Sequence, residues 1–167
     1  MFVRPVVNPE HTFMVPNDPL TQIRIASPFD EAAASHLLGL VFPDDPHPYA
    51  QNIRESNCLN AVATNNEGRL IGFATLLIDP TTQHGTQEWR KYSLYIGAIA
   101  TEPIHRRKGV GTDLMEFLAQ EARKSAPHYQ LMHLHVTQDS PSIHFHENCG
   151  FVKISTYKNS WLMRRPV

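Results

Sequence analysis

The stretch Tyr95-Ile-Gly-Ala-Ile-Ala-Thr-Glu-Pro-Ile-His-Arg-Arg-Lys-Gly-Val-Gly-Thr112 decides how the rest of the chain is read. Its opening apolar run, residues 95–100, has the character of a buried strand, and Pro103 ends it. Three cations follow, Arg106, Arg107 and Lys108, and then Gly109-Val110-Gly111. From there Val110, Leu114, Phe117, Leu118 and Ala122 recur at helical spacing and make one apolar face. Asp113 and Glu116 stand early in that helix, Arg123 and Lys124 in its last turn, and Pro127 just beyond, as the helix dipole and its ends favour. The unit is a strand, a basic glycine turn and a helix N-terminus.

Such a unit suits an anion. The first N–H groups of a helix have no partner within it and carry partial positive charge. Glycines allow the main chain close to a ligand, and flanking cations add charge-assisted bonds. The plainer alternative is a tight turn whose basic residues are only solvated. A Walker loop would need Lys-Ser/Thr after its last glycine, whereas Gly111 is followed by Thr112-Asp113. A dinucleotide fingerprint would need a third small residue where Leu114 stands.

Working outward, residues 1–20 hold four of the thirteen prolines. They read as an extended arm packed on the domain or on a second subunit, the latter making a homodimer. Residues 23–26 form a short strand, and Ser27-Pro28 opens a helix to about Phe42 that buries Ala33, Leu37, Leu40 and Val41. Residues 43–48 are a rigid proline-rich loop. A short polar helix covers about 49–56. Strands at 59–64 and 70–78 flank Asn65-Asn66-Glu67-Gly68, a hairpin signal. Residues 79–88 form a polar loop, and the central strand begins near Trp89. After the long helix, residues 131–136 alternate as a strand, with His133 and His135 on one face. Ser140-Pro141 opens a helix that stops at Gly150, and strands at 151–157 and 161–164 close the chain.

The 167 residues suit one domain, here 21–167 after the arm, large enough for a core without staples. A formal charge of −1 argues against a general nucleic-acid binder. Cys58 and Cys149 have no metal or redox spacing, which suits a reducing compartment and leaves a single bridge between them open. No apolar run approaches membrane-spanning length and the N-terminus has no secretory pattern, so a cytoplasmic protein without membrane contact is expected.

Arg106-x-x-Gly109-x-Gly111 resembles the acyl-CoA pyrophosphate loop of the GNAT N-acetyltransferase superfamily, whose motif is Gln/Arg-x-x-Gly-x-Gly/Ala between a central strand and a helix. The element order β-α-α-β-β-β-α-β-α-β-β is the succession of that family over about residues 22–165. Family members also carry Asn-x-x-Ala-x-x-x-Tyr-x-x-x-Gly-Phe, against which Asp139, Ser142, His146, Gly150 and Phe151 fall in register. The resemblance implies an α/β (α+β) GNAT fold: a mixed, mostly antiparallel sheet of six or seven strands with four helices. It also implies transfer of an acetyl group from acetyl-CoA, the cosubstrate, to a primary amine of a small molecule or peptide, by direct attack in a ternary complex.

The resemblance further assigns roles. The diphosphate would lie on the main chain of residues 107–112 (Arg107, Lys108, Gly109, Val110, Gly111 and Thr112) with Arg106 beside it. The pantetheine arm would bond Ile99, Ala100 and Thr101 as an added strand, with an N–H near Ile99 polarising the thioester oxygen. Gly97 suits a bulge that helps the strands part. Asp139 and Ser142 would also approach the cofactor. His146 stands where the family's proton-donating tyrosine stands, either as general acid or only packed there. The strand glutamate that serves many members as base is missing. Glu88, Tyr92, Tyr95 and His135 are the candidates in its place, or a water chain reaching solvent.

Two other functions remain open from the sequence. One is an acyl-CoA-binding protein of the same fold without turnover; the other is nucleotide or nucleic-acid binding through the basic turn, which stabilisation by CoA but not by ATP or oligonucleotides would remove. No metal is expected, because the ten histidines lack an accompanying ligand motif.

Overall fold

The fold is that of a computed structural model, which describes residues 21–44, 49–78 and 93–167 and the backbone alone of Phe13–Met14. Among the described residues eight strands make one sheet: β1 (Phe13–Met14), β2 (Gln22–Ile25), β3 (Cys58–Thr64), β4 (Leu70–Ile78), β5 (Leu94–Thr101), β6 (Leu131–Thr137), β7 (Val152–Tyr157) and β8 (Ser160–Pro166). Their order is β1-β2-β3-β4-β5-β6-β8-β7, and every pairing except β5 with β6 is antiparallel. Seven are of ordinary length, as expected. The eighth, β1, is a two-residue pairing within the segment read as an arm.

The helices are α1 (Glu31–Val41), α2 (Val110–Ser125) and α3 (Ile143–Asn148), with a 3-10 helix at Tyr49–Arg54 where a short polar helix was expected. Ser27 and Pro28 do open the first helical segment, but its first turn, Pro28–Asp30, is 3-10. The Asp30 carboxylate holds it by accepting bonds from the Ser27 N–H and from both terminal nitrogens of Arg24. The buried side of α1 is Ala34, Leu37 and Leu38; Ala33 and Leu40 face solvent. Three alanines and a Leu-Leu-Gly-Leu run offer two apolar stripes that share Leu37, and packing against Val62 and Phe73 selects the other one.

The Asn65–Gly68 hairpin closes through the Asn65 side chain, which accepts from the N–H groups of Glu67 and Arg69, with Gly68 at φ 77°. Gly150, at φ 85°, ends α3, and its N–H and that of Phe151 bond back to the Glu147 and His146 carbonyls. The α3 helix proper starts at Ile143, later than Ser140-Pro141, which form the turn before it. Both cysteines are free thiols, so the bridge left open by their spacing is not made. Tyr92, Trp89, Glu88, most of the loop preceding β5, and residues 45–48 of the proline-rich loop lie outside the described residues.

One irregularity organises the core. Opposite β4, Thr75 pairs with Ala98 but the next residue, Leu76, pairs with Ile96, so Gly97 is the extra residue of a β-bulge. Before it, Leu94 and Ile96 pack into the core under α2 with Leu114, Met115 and Leu118. After it, Ala98 and Ala100 pack into the core under α1 with Leu37, Leu38 and Phe73. The extra residue thus moves the buried side of the strand from one helical layer to the other. A side chain at Gly97 would meet Leu77 Cδ1 at 2.6 Å and Tyr49 Cε1 at 3.2 Å, which is why the position is glycine.

Candidate active site

The parallel contact between β5 and β6 is short. Among the described residues only Leu94 with Met132 and Tyr95 with His133 are paired; beyond them β6 runs with β8, and no other described strand pairs with β5 on that side. The Glu102 N–H donates to the Ile71 carbonyl on β4 at 2.9 Å. Strand alternation therefore turns Ala100 toward β4, where it pairs with Phe73, and turns the N–H and C=O groups of Ile99 and Thr101 toward the gap. Of the three residues named for the arm, Ala100 is the exception, since its amide belongs to the sheet.

Beyond β5 the chain makes the 3-10 turn Pro103–His105 and enters the basic loop. Arg107 stands at φ 61° and Gly109 at φ 88°, so left-handed residues interrupt the loop just before the helix. Alternating left- and right-handed residues are the arrangement that lets successive N–H groups turn to one side, as in main-chain anion sites. Gly109 is the N-cap of α2 and has no side chain to bond the helix end. The first backbone bond there runs from the Asp113 N–H to the Gly109 carbonyl, leaving the N–H groups of Val110, Gly111 and Thr112 without an acceptor in the helix. Arg106, Arg107 and Lys108 are exposed, and Arg106 Nε donates to the Thr101 carbonyl at 3.2 Å, folding back on the end of β5. The Phe145 ring of α3 lies so near Gly111 that a Cβ there would sit 3.2 Å from it. Loop, strand edge and α3 thus meet in one place. Asp139 is exposed, and Ser142 caps α3 beside Ser140, their hydroxyls 2.8 Å apart.

His146 lies on α3 with its ring edge-on to Phe145 and Phe151, centroids 5.0 and 6.1 Å away. Burial pushes its pKa down to about 4, so the ring is neutral near pH 7. Its Nδ1 is buried without a hydrogen-bond partner among the described residues.

On the opposite face of the sheet from α2, Tyr95 Oη lies 3.3 Å from His135 Nδ1. The contact runs diagonally from Tyr95, the last paired residue of β5, to His135, two residues beyond its partner His133, at the mouth of the gap. The Tyr157 ring stands 6.2 Å from His135. Burial, with Arg164 and His135 adding to it, lowers the His133 pKa to about 4. The sequence named Tyr95 and His135 separately; their pairing depends on register across the seam, which no local pattern encodes. Glu88 and Tyr92, the other base candidates carried from the sequence, lie outside the described residues. No group of three or more His, Cys, Asp or Glu among the described residues is placed to hold a metal ion, and no described helix is long and apolar enough to cross a membrane.

Solved structures share this fold. The ribosomal-protein-S18-alanine N-acetyltransferase of Escherichia coli superimposes with a TM-score of 0.69 at 22% identity, over 88% of this chain and 94% of that one. NAA60 of Arabidopsis thaliana in complex with acetyl-CoA gives 0.70 at 17% identity, over 88% and 98%. Spermidine N-acetyltransferase of Vibrio cholerae in complex with CoA and spermine gives 0.65 at 17%, over 89% and 96%. No curated protein is similar enough in sequence to count as a match. The model of the acetyltransferase (GNAT) family matches residues 26–151, well over half the chain and the whole span from α1 to the end of α3. The chain therefore belongs to the GNAT family of acetyltransferases and is an acyltransferase.

Proposed function

We propose that this acyltransferase moves the acetyl group of acetyl-CoA to a primary amine by direct attack while both substrates are bound. The observation that carries the reading is the gap between β5 and β6, which opens beside a loop of outward N–H groups at the start of α2. The residues present fit the cosubstrate. The main chain of 107–112 would hold the diphosphate, and the N–H and C=O groups of Ile99 with the N–H of Thr101 would bond the amide-bearing arm as an added strand. The Ile99 N–H would polarise the thioester oxygen.

Attack forms an N–C bond and breaks a C–S bond, so the amine must lose a proton and the sulfur must gain one. We assign the first transfer to Tyr95 and His135, whose side chains touch at the mouth of the gap. Because the His146 ring is neutral near pH 7, its part would be to donate an N–H bond to the departing sulfur rather than to act as an imidazolium acid. Asp139 and Ser142, at the entrance to α3, would contact the arm.

The test is release of free CoA from acetyl-CoA by purified protein over a panel of amines. Spermidine, spermine and peptides with a free N-terminal alanine belong in it, since two similar structures name such acceptors. Release with at least one amine supports the reading. Tight CoA binding with no release on any amine would leave a binding protein. With the best amine, Tyr95→Phe and His135→Ala should each lower kcat by about a hundredfold while KM for acetyl-CoA stays within about twofold; unchanged kcat in both would remove the pair from the mechanism.

A further inference from the structure

The basic loop is reached through Glu102 and the turn Pro103–His105, and what braces that turn comes from a distant part of the chain. Arg69, which follows the Asn65–Gly68 turn between β3 and β4, donates from Nη1 to Glu102 Oε1 at 2.6 Å. Its Nη2 lies 3.5 Å from His105 Nε2, and that same nitrogen lies 3.5 Å from Glu102 Oε2. The Glu102 and His105 side chains are each only 16% exposed, whereas Arg69 is 50% exposed and closes the cluster from outside. Backbone bonds complete the brace: Glu102 N–H to Ile71 O, His105 N–H to Glu102 O, and Arg106 N–H to Pro103 O.

This placement needs a reason. A carboxylate on the approach to an anion seat opposes the anion, and a solvated aspartate or glutamine could cap the turn as well. Here the carboxylate is paired with a cation from the neighbouring hairpin. Its contact with His105 ends directly before Arg106, and the next residue, Arg107, holds the left-handed φ of 61° that the proposed diphosphate seat uses.

We propose that Arg69 and Glu102 are positioning residues that hold the diphosphate loop in its binding conformation from the β3–β4 hairpin. The proposal rests on the reading of residues 107–112 as the diphosphate seat. It assigns the pair to cofactor affinity and not to the acyl-transfer step.

Calorimetry with CoA and turnover with acetyl-CoA are compared for the full chain and for Arg69→Ala, Glu102→Ala and the double variant. Each single variant should weaken CoA binding about fivefold and raise KM for acetyl-CoA to match, with kcat at saturation within about twofold. The double variant should be no weaker than either single one, because the two act as one unit. Acetyl-pantetheine, which lacks the diphosphate, should be used by all four proteins with equal kcat/KM. Wild-type affinity in the variants, additive losses in the double variant, or an equal loss with acetyl-pantetheine would each overturn the proposal, the last by showing general loosening. Wild-type protein that turns over acetyl-pantetheine but does not bind CoA would instead overturn the placement of the diphosphate seat itself.

Discussion

Gly109 carries two duties that no other residue type combines. It sits at φ 88°, where a Cβ costs about 1 kcal/mol, and its lack of a side chain keeps the end of α2 open. Gly109→Glu should abolish CoA binding by calorimetry while circular dichroism shows a folded chain; retained affinity would count against the loop. His146 makes the opposite case, a polar group placed where burial keeps it neutral. Its pKa falls from 6.5 in the unfolded chain to about 4. Between those values the unfolded state binds the extra proton, so stability is full above about pH 6.5 and is lost as pH falls toward 4, by at most about 3 kcal/mol. His146→Phe, flanked by Phe145 and Phe151, should remove that part of the slope and cost little at pH 7.5, since an orphaned nitrogen leaves with it. Melting temperatures at pH 7.5 and 5 check this; equal slopes in the two proteins would show that the imidazole does not titrate as burial requires.

The helix α2 makes the loop useful only if it lies close on the sheet, and Gly72 of β4 permits that approach. A Cβ there would meet Leu114 Cδ1 at 2.9 Å, Val110 Cγ1 at 3.0 Å and Ala63 Cβ at 3.2 Å. Leu114 can turn aside; Val110 is branched and Ala63 cannot yield. Gly72→Ala should therefore destabilise by about 1–3 kcal/mol in urea unfolding and weaken CoA binding, because Val110 begins the helix. Adding Leu114→Ala should cost less than the sum of the single changes. Elements of this kind were legible in the sequence where one apolar stripe stood alone, as in α2, or where a turn demanded its residues, as at Asn65–Gly68 and Gly150. The face of α1 was not, because Ala32-Ala33-Ala34 and the leucines beyond fit two stripes. Gly97 announced a bulge, but which helical layer Ala98 and Ala100 would join depended on where the extra residue fell against β4. The contacts of Tyr95 with His135 and of Arg69 with Glu102 span 40 and 33 residues, so they follow from strand order alone.

At the scale of the whole molecule, the sheet is two blocks, β1–β5 and β6–β8, joined edge to edge by two residue pairs and covered by α2 and α3. A ligand bonding Ile99 and Thr101 while lying on the start of α2 would tie the open edge of β5 to that helix. CoA at about a hundred times its Kd should then raise the melting temperature by about 5–10 °C, a shift that ATP or an oligonucleotide at the same concentration should not reproduce. Equal shifts with all three would point to a general anion effect. A sheet parted along its middle is in effect a ladder short of rungs, and amides of the proposed cosubstrate would supply them for as long as it stays. On the proposed reading, departure of the spent thiol would strip those rungs away again, so the same bonds that seat the cosubstrate would oppose its release.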